Sequence, residues 1–253
     1  MTLNMILSGK AALVTGAGRG IGAATAMLLA QNGVSVGVNY LSRSDLAEAT
    51  VNKIRKDSGS AFAVRGDVSR REDAVMAVRS VAEKFGRLDI LVNNAGGAAN
   101  GTIENLTEET WRRAIAVHLD GPMYCTQAAI PYMKKSGGGA IVNISSVAGM
   151  RGCPGNVAYQ TVKGAVQSFT RGCARDLTDS KIRVNCVSPG IIRTDFHAAM
   201  TEEQKRINLE TRIPLHLEGK PEQVAEAILL LVKNDYITGE NIVVDAGLTM
   251  RIA

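Results

Sequence analysis

No apolar run in this chain of 253 residues approaches the length of a membrane span; the longest candidate, "AILLLV", is far too short. The opening "MTLNMILSG" lacks the charged and long apolar regions of a secretion signal, so a cytoplasmic protein is expected. Only four cysteines occur, Cys125, Cys153, Cys173 and Cys186, with neither CxxC spacing nor histidines at zinc spacing. A metal site or redox motif is therefore unsupported. Aromatic residues make up only 4%, and 6 prolines stand against 26 glycines, a balance that suits tight turns and close backbone approaches rather than a low-complexity chain. There is no basic block either. The 29 basic and 24 acidic residues are interspersed, so the net charge of +5 describes a solvated mixed surface and not a nucleic-acid footprint.

What is present is 45% hydrophobic content, enough to bury a substantial core, and one domain over residues 1–253 is expected. Seven short β-branched or apolar runs recur: "AALVTG", "VSVGVNY", "AFAVRGDV", "DILVNNAG", "AIVNISS", "IRVNCVS" and "NIVVDAG". Helical spacing fills the intervals 20–31, 44–57, 70–85, 107–134, 159–179 and 221–232. Continuous apolar strands alternating with helices predict an α/β doubly wound (Rossmann) fold, a mostly seven-stranded parallel sheet with helices on both faces. Ligands of such sheets sit outside the carboxyl ends of the strands. Residues 190–220 interrupt the alternation and are expected to form a small helical lid over that site.

"TGAGRGIG" at 15–22 follows a strand and opens a helix, the context in which a glycine pattern cradles phosphate. Gly16 permits the turn, Gly20 a close approach to a pyrophosphate, and Gly22 close packing of helix on strand; the helix dipole favours the anion. Further on, "AYQTVKGA" at 158–165 sets Tyr159 and Lys163 four apart, on one helix face. A free phenol has a pKa of about 10. A nearby ammonium is expected to bring it toward the working range, making Tyr159 a proton donor and acceptor. Ser146, thirteen residues earlier at a strand end, can hydrogen-bond the same substrate oxygen.

TGxxxGxG at Gly16, Gly20 and Gly22, "NNAG" at 93–96, Ser146, YxxxK at Tyr159 and Lys163, and "SPG" at 188–190 occur in that order. On those motifs the chain resembles the short-chain dehydrogenase/reductase family over essentially its whole length. Within the family it is most similar to the group of 3-oxoacyl-[acyl-carrier-protein] reductases and related carbonyl reductases. The resemblance selects Ser146 over Ser145 as the catalytic serine. It implies a coenzyme cleft built from Gly16, Gly18, Arg19, Gly20, Ile21, Gly22, Asn93, Ala95, Gly96, Pro189, Gly190 and Ile192. Asp67 and Val68 are implied to flank the adenine, Thr194 to meet the nicotinamide carboxamide, and Lys163 to grip the ribose. The closing "YITGENIVVDAGLTM" resembles the family's ending, which implies a homotetramer.

In NAD users of such folds an acid after the second strand binds the adenosine ribose and repels a 2′-phosphate. Here "VNYLSRSD" puts Asn39 about where that acid would stand, with Arg43 close behind and Arg19 in the glycine turn. Either guanidinium can take a phosphate bidentately, and Ser42 adds a donor. NADP(H) is the expected coenzyme, with NAD(H) tolerated by Asn39.

One departure concerns the asparagine that, in most family members, holds a proton-relaying water within "VNLxG". The chain reads "VHLDG", placing His118 there. Imidazole can hold a similar water, or the ring can simply satisfy a helix backbone group.

Apolar candidate walls at Met150, Cys153, Ile192, Phe196 and Met200 suit an acyl chain. The expected function is NADPH-dependent reduction of a carbonyl, with a 3-oxoacyl thioester as substrate, carried on acyl carrier protein or CoA. Lys134, Lys135 and Lys181 are candidate contacts for such an acidic carrier. Two alternatives stand beside it: a dehydrogenase of a sugar, steroid or other secondary alcohol, and a catalytically silent NADP-binding scaffold, the latter opposed by the intact Ser146, Tyr159 and Lys163. No metal, nucleic acid or membrane partner is expected.

Overall fold

Seven uninterrupted apolar runs become seven strands: β1 (Ala11–Val14), β2 (Ser35–Tyr40), β3 (Ala61–Arg65), β4 (Ile90–Asn93), β5 (Gly139–Ile144), β6 (Ile182–Pro189) and β7 (Asn241–Val244). In the computed structural model, which describes residues 5–197 and 200–250, they form one sheet of order β3-β2-β1-β4-β5-β6-β7. Every adjacent pair runs parallel. The central strands β1, β4 and β5 are buried along their whole length. This explains why they read as continuous rather than alternating apolar segments.

Among the described residues there are eight α-helices: α1 (Gly20–Gln31), α2 (Ser44–Lys56), α3 (Arg71–Phe85), α4 (Glu108–Ile115), α5 (Gly121–Lys135), α6 (Val157–Leu177), α7 (Glu202–Ile207) and α8 (Pro221–Lys233). Successive strand residues face opposite sides. Ala12 and Val14 therefore join Leu29 of α1, Val51 of α2 and Ile228 of α8 in one core. Leu13 turns the other way, to Val78 of α3, Met133 of α5 and Leu177 of α6.

The interval 107–134 is not one helix. A π-helical turn over Ala116–Asp120 separates α4 from α5, and Pro122, with no N–H to donate, stands in the first turn of α5. That turn carries His118. The expected excursion at 190–220 contains a 3-10 turn (Asp195–His197), α7 and a second π-helical turn (Asn208–Arg212); residues 198 and 199 within it lie outside the described residues. Thr201 and Gln204 close a capping box at the start of α7, so this short helix begins at a defined place. Among the described residues no helix is long and apolar enough to cross a membrane.

The strand order reverses at β1, which lies between β2 and β4. A crevice opens there, outside the carboxyl ends of the strands. The glycine turn, "NNAG" and the "ISS" and "SPG" segments all follow carboxyl ends and so converge on one edge of the sheet.

Candidate active site

Thr15, at the end of β1, ties the two walls of this crevice together. Its Oγ1 accepts hydrogen bonds from the N–H groups of Asn94 (3.0 Å) and Ala95 (2.9 Å). Asn94 Nδ2 answers by donating to the carbonyls of Thr15 (2.8 Å) and Gly16 (3.1 Å). Sequence reasoning assigned neither residue a role, although Asn94 sits inside the quoted "NNAG". Gly20 holds φ +57°, where a side chain is strained. A Cβ on Gly22 would lie 2.5 Å from Asn94 Nδ2 and 2.6 Å from the Gly16 carbonyl, so the start of α1 can approach the turn only with glycine there.

Arg19, the N-cap of α1, provides no side-chain hydrogen bond to the helix, and no acidic residue stands in the first turn. The first-turn amides and the helix dipole are thus left for an exogenous anion, and the cleft fits the pyrophosphate of a dinucleotide.

Asn39 does not reach that cleft. It is 2% exposed. Its Oδ1 accepts from the Gly16 N–H (3.1 Å), and its Nδ2 donates to the carbonyls of Val64 (3.2 Å) and Gly66 (3.1 Å). The residue expected at the ribose instead braces the glycine turn from behind, because its side chain points into the layer between β1, β2 and β3. Asn39→Asp is accordingly expected to leave the coenzyme preference unchanged. It should destabilise the fold by about 1–3 kcal/mol, since a carboxylate cannot donate to two buried carbonyls. Urea unfolding alongside NADPH and NADH titrations checks both halves.

Three further side chains assigned to the cleft are also buried elsewhere. Ile192 (3% exposed) packs its side chain into the core against Gly219. Val68 (6% exposed) packs in the opposite core, leaving only its backbone for an adenine. Asn93 Nδ2 donates to Asn143 Oδ1 (2.8 Å), and Asn143 donates in turn to Thr170 (3.0 Å), a buried polar bridge from β4 through β5 to α6. Asp67 accepts from the N–H and hydroxyl of Ser69 at 3.0 and 2.6 Å.

The arginines do lie at the cleft, each already paired. Arg19 Nη1 meets Asp195 Oδ2 at 3.0 Å, and Arg43 holds Asp45 through two bonds of 2.9 and 2.7 Å. Thr194 touches the glycine turn, its Cγ2 lying 3.3 Å from where a Cβ on Gly20 would be.

At the ends of β5 and α6 the expected catalytic residues meet. Alternation sends Ser145 inward, where it donates to the Lys163 carbonyl at 2.6 Å and locks α6 to the strand. Ser146 faces the cleft, capping a 3-10 turn by accepting from Ala148 N–H (3.1 Å). Tyr159 stands in the first turn of α6, with the Phe196 ring 5.8 Å away on the lid side. Lys163 is buried one turn on, its Nζ donating to the Ile144 carbonyl (2.8 Å) and lying 5.6 Å from the centre of the Tyr159 ring.

Burial pushes Tyr159 up to about 12, although the neighbouring Ser146 side chain opposes it. Burial also draws Lys163 down to about 8. With no bound cation beside it, then, Tyr159 is a neutral phenol, ready to donate.

His118 is 4% exposed and lies edge-on to Tyr159, ring centres 5.6 Å apart. Its Nε2 meets the Gly97 carbonyl at 3.0 Å, a loop group and not a helix one. The Gly97 N–H also points at Nε2, at 3.4 Å; with the shorter carbonyl contact taking the Nε2 proton, buried Nδ1 is an acceptor with no partner among the described residues. Burial, reinforced by the Lys163 charge, lowers its pKa to about 3, so the ring is neutral at working pH.

Comparison with known proteins finds relatives over nearly the whole chain. A family model described as enoyl-(acyl carrier protein) reductase matches residues 16–249. A 3-oxoacyl-[acyl-carrier-protein] reductase of Synechocystis is 40% identical over 96% of this chain and 98% of its own length. Among solved structures, a Serratia marcescens short-chain dehydrogenase/reductase superposes with a TM-score of 0.91 and 33% identity, covering 97% of this chain and 100% of the other. A blue fluorescent protein from a metagenomic library, in complex with NADPH, superposes at 0.90 with 33% identity and the same coverage.

Proposed function

The chain belongs to the short-chain dehydrogenase/reductase family of oxidoreductases, and we propose that within it this protein is an NADPH-dependent reductase of 3-oxoacyl thioesters. The observation that carries the reading is the convergence of Ser146 and Tyr159 on one point of the cleft, with Lys163 buried behind them.

When bound, reduced nicotinamide supplies hydride to the substrate's carbonyl carbon. Ser146 Oγ donates to the carbonyl oxygen and holds it as negative charge develops. Tyr159 gives that oxygen its proton, and the Lys163 ammonium stabilises the phenolate left behind. A neutral phenol in the free protein suits this direction. The first-turn amides of α1 take the pyrophosphate. Arg19, Arg43 and Ser42 take the 2′-phosphate, Asp67 and the Val68 backbone flank the adenine, and Thr194 meets the carboxamide. Neutral His118 acts through its free Nδ1, which can accept from a water placed toward Lys163.

The candidate wall residues suit an acyl chain: Phe196 and Met150 are exposed apolar groups, and Cys153 and Met200 are half-buried. Lys134, Lys135 and Lys181 offer positive charge to an acidic acyl carrier. β7 is an edge strand whose four residues remain half-exposed, with Leu230, Tyr236 and Met250 exposed around it. An apolar edge of this kind calls for cover. A homotetramer sharing it, in the cytoplasm, completes the reading, and light scattering at four times the chain mass of 26.8 kDa checks the assembly.

The test follows coenzyme absorbance with acetoacetyl-CoA, crotonyl-CoA and a panel of sugars and secondary alcohols. The reading requires turnover of acetoacetyl-CoA with NADPH over NADH. Turnover of crotonyl-CoA alone would make the protein an enoyl reductase, and turnover of an alcohol alone would make it a dehydrogenase.

A further inference from the structure

Both guanidiniums beside the glycine turn are held by carboxylates of the same chain. The Arg19–Asp195 pair joins residues 176 apart in sequence and bridges the two lips of the crevice, the turn before α1 and the 3-10 turn after β6. Both side chains are well exposed, at 60% and 67%. Asp195 also acts on Arg43, whose nearer partner Asp45 lies in the first turn of α2. Arg19, Arg43, Asp45 and Asp195 therefore make a four-charge cluster with no net charge at the end of the cleft where a 2′-phosphate would arrive.

A phosphate monoester carries about two negative charges and competes with Asp195 for the Arg19 donors. While the pair stands, Arg19 has to be released before it can turn to the phosphate, and the freed carboxylate then remains nearby as a like charge. A nucleotide lacking the phosphate meets neither obstacle.

Resting on the coenzyme reading above, we propose that Asp195 is a specificity-determining residue: it competes for Arg19 and so tempers the preference of the cleft for 2′-phosphorylated over unphosphorylated adenine nucleotides. The residue that closes the lip thus also sets how far NADP(H) is favoured over NAD(H).

The test is calorimetric titration of the full chain with 2′,5′-ADP, 5′-AMP and NADPH, which needs no turnover. Asp195→Asn keeps the shape and removes the charge at an exposed position where folding is not at risk. Exposed pairs are individually weak, so the expected effect is about fivefold tighter 2′,5′-ADP binding. Binding of 5′-AMP should stay constant, and the gain should shrink in high salt. In an Arg19→Ala background the same substitution should give markedly less, because the competition has been removed. Unchanged 2′,5′-ADP affinity, equal tightening of both nucleotides, or a full gain without Arg19 overturns the proposal while the coenzyme reading stands. A wild-type chain that binds neither NADPH nor 2′,5′-ADP overturns both.

Discussion

Tyr159→Phe is expected to lower kcat/KM for carbonyl reduction by about a hundredfold to ten-thousandfold, the usual worth of a positioned general acid. The loss should be confined to chemistry. The phenyl ring keeps its edge-on contact with His118 (5.6 Å) and its contact with Phe196 (5.8 Å). Only the hydroxyl disappears, with its influence on the neighbouring Ser146. Stability should therefore change by no more than about 1 kcal/mol, and NADPH affinity should be retained. Steady-state kinetics and fluorescence titration separate the two effects. A variant keeping a tenth or more of the activity would mean that another group delivers the proton.

Lys163→Met should separate activity from stability. Loss of the ammonium removes the charge that stabilises the Tyr159 phenolate, so kcat/KM should fall by about a hundredfold or more. Wild-type reduction should likewise decline above about pH 8, where Lys163 loses its proton. Stability moves differently. Burial lowers the pKa from 10.5 to about 8. Between those values the unfolded chain binds the proton that the folded chain has released, so the contribution of Lys163 to wild-type stability rises with pH across this window. The rise amounts to about 3 kcal/mol. The groups facing Lys163 are Tyr159 on its own helix, His118 of the π-helical turn and Cys186 of β6. Burial raises Cys186 from 9.0 to about 11 and Tyr159 from 10.0 to about 12, so both oppose this trend above about pH 9, but they do so in wild type and variant alike and leave the difference between them to Lys163. At pH 7 the methionine variant is spared the buried charge but loses the bond to the Ile144 carbonyl, two effects that nearly offset. Chemical unfolding at several pH values should thus show wild type gaining on the variant by about 3 kcal/mol as pH rises from 7 to 10.5. A constant difference would mean that Lys163 is not a desolvated ammonium.

These residues were legible because their spacing is local: Tyr159 and Lys163 are one helical turn apart, and the glycine turn lies within eight residues of sequence. The strands were legible too, since burial on both faces writes itself as an unbroken apolar run. What escaped depends on neighbours distant in sequence. Asn39 sits at a strand end, where an acid binds ribose in NAD users, yet its partners Gly16, Val64 and Gly66 come from the adjoining strand ends and fix it inward. Ile192 looked like a wall residue until its bridge to Gly219 drew it into the core. The aspartate partners of Arg19 and Arg43 were in view as letters, but the contact across 176 positions was not. The break at Ala116–Asp120 did leave a signal, the Gly121-Pro122 pair, which a helical apolar spacing over 107–134 overrode. That burial dominates for both Tyr159 and Lys163 in the free protein was not legible either, since desolvation depends on packing from distant segments.

The most direct test of the account is to give the protein acetoacetyl-CoA with NADPH deuterated at the transferring position of the nicotinamide, in ordinary water, and to read the product by mass spectrometry. The account predicts 3-hydroxybutyryl-CoA carrying one deuterium on C3 from wild type, and almost none of that product from Tyr159→Phe. No hydroxyacyl product from wild type, or product without the label on C3, would contradict it.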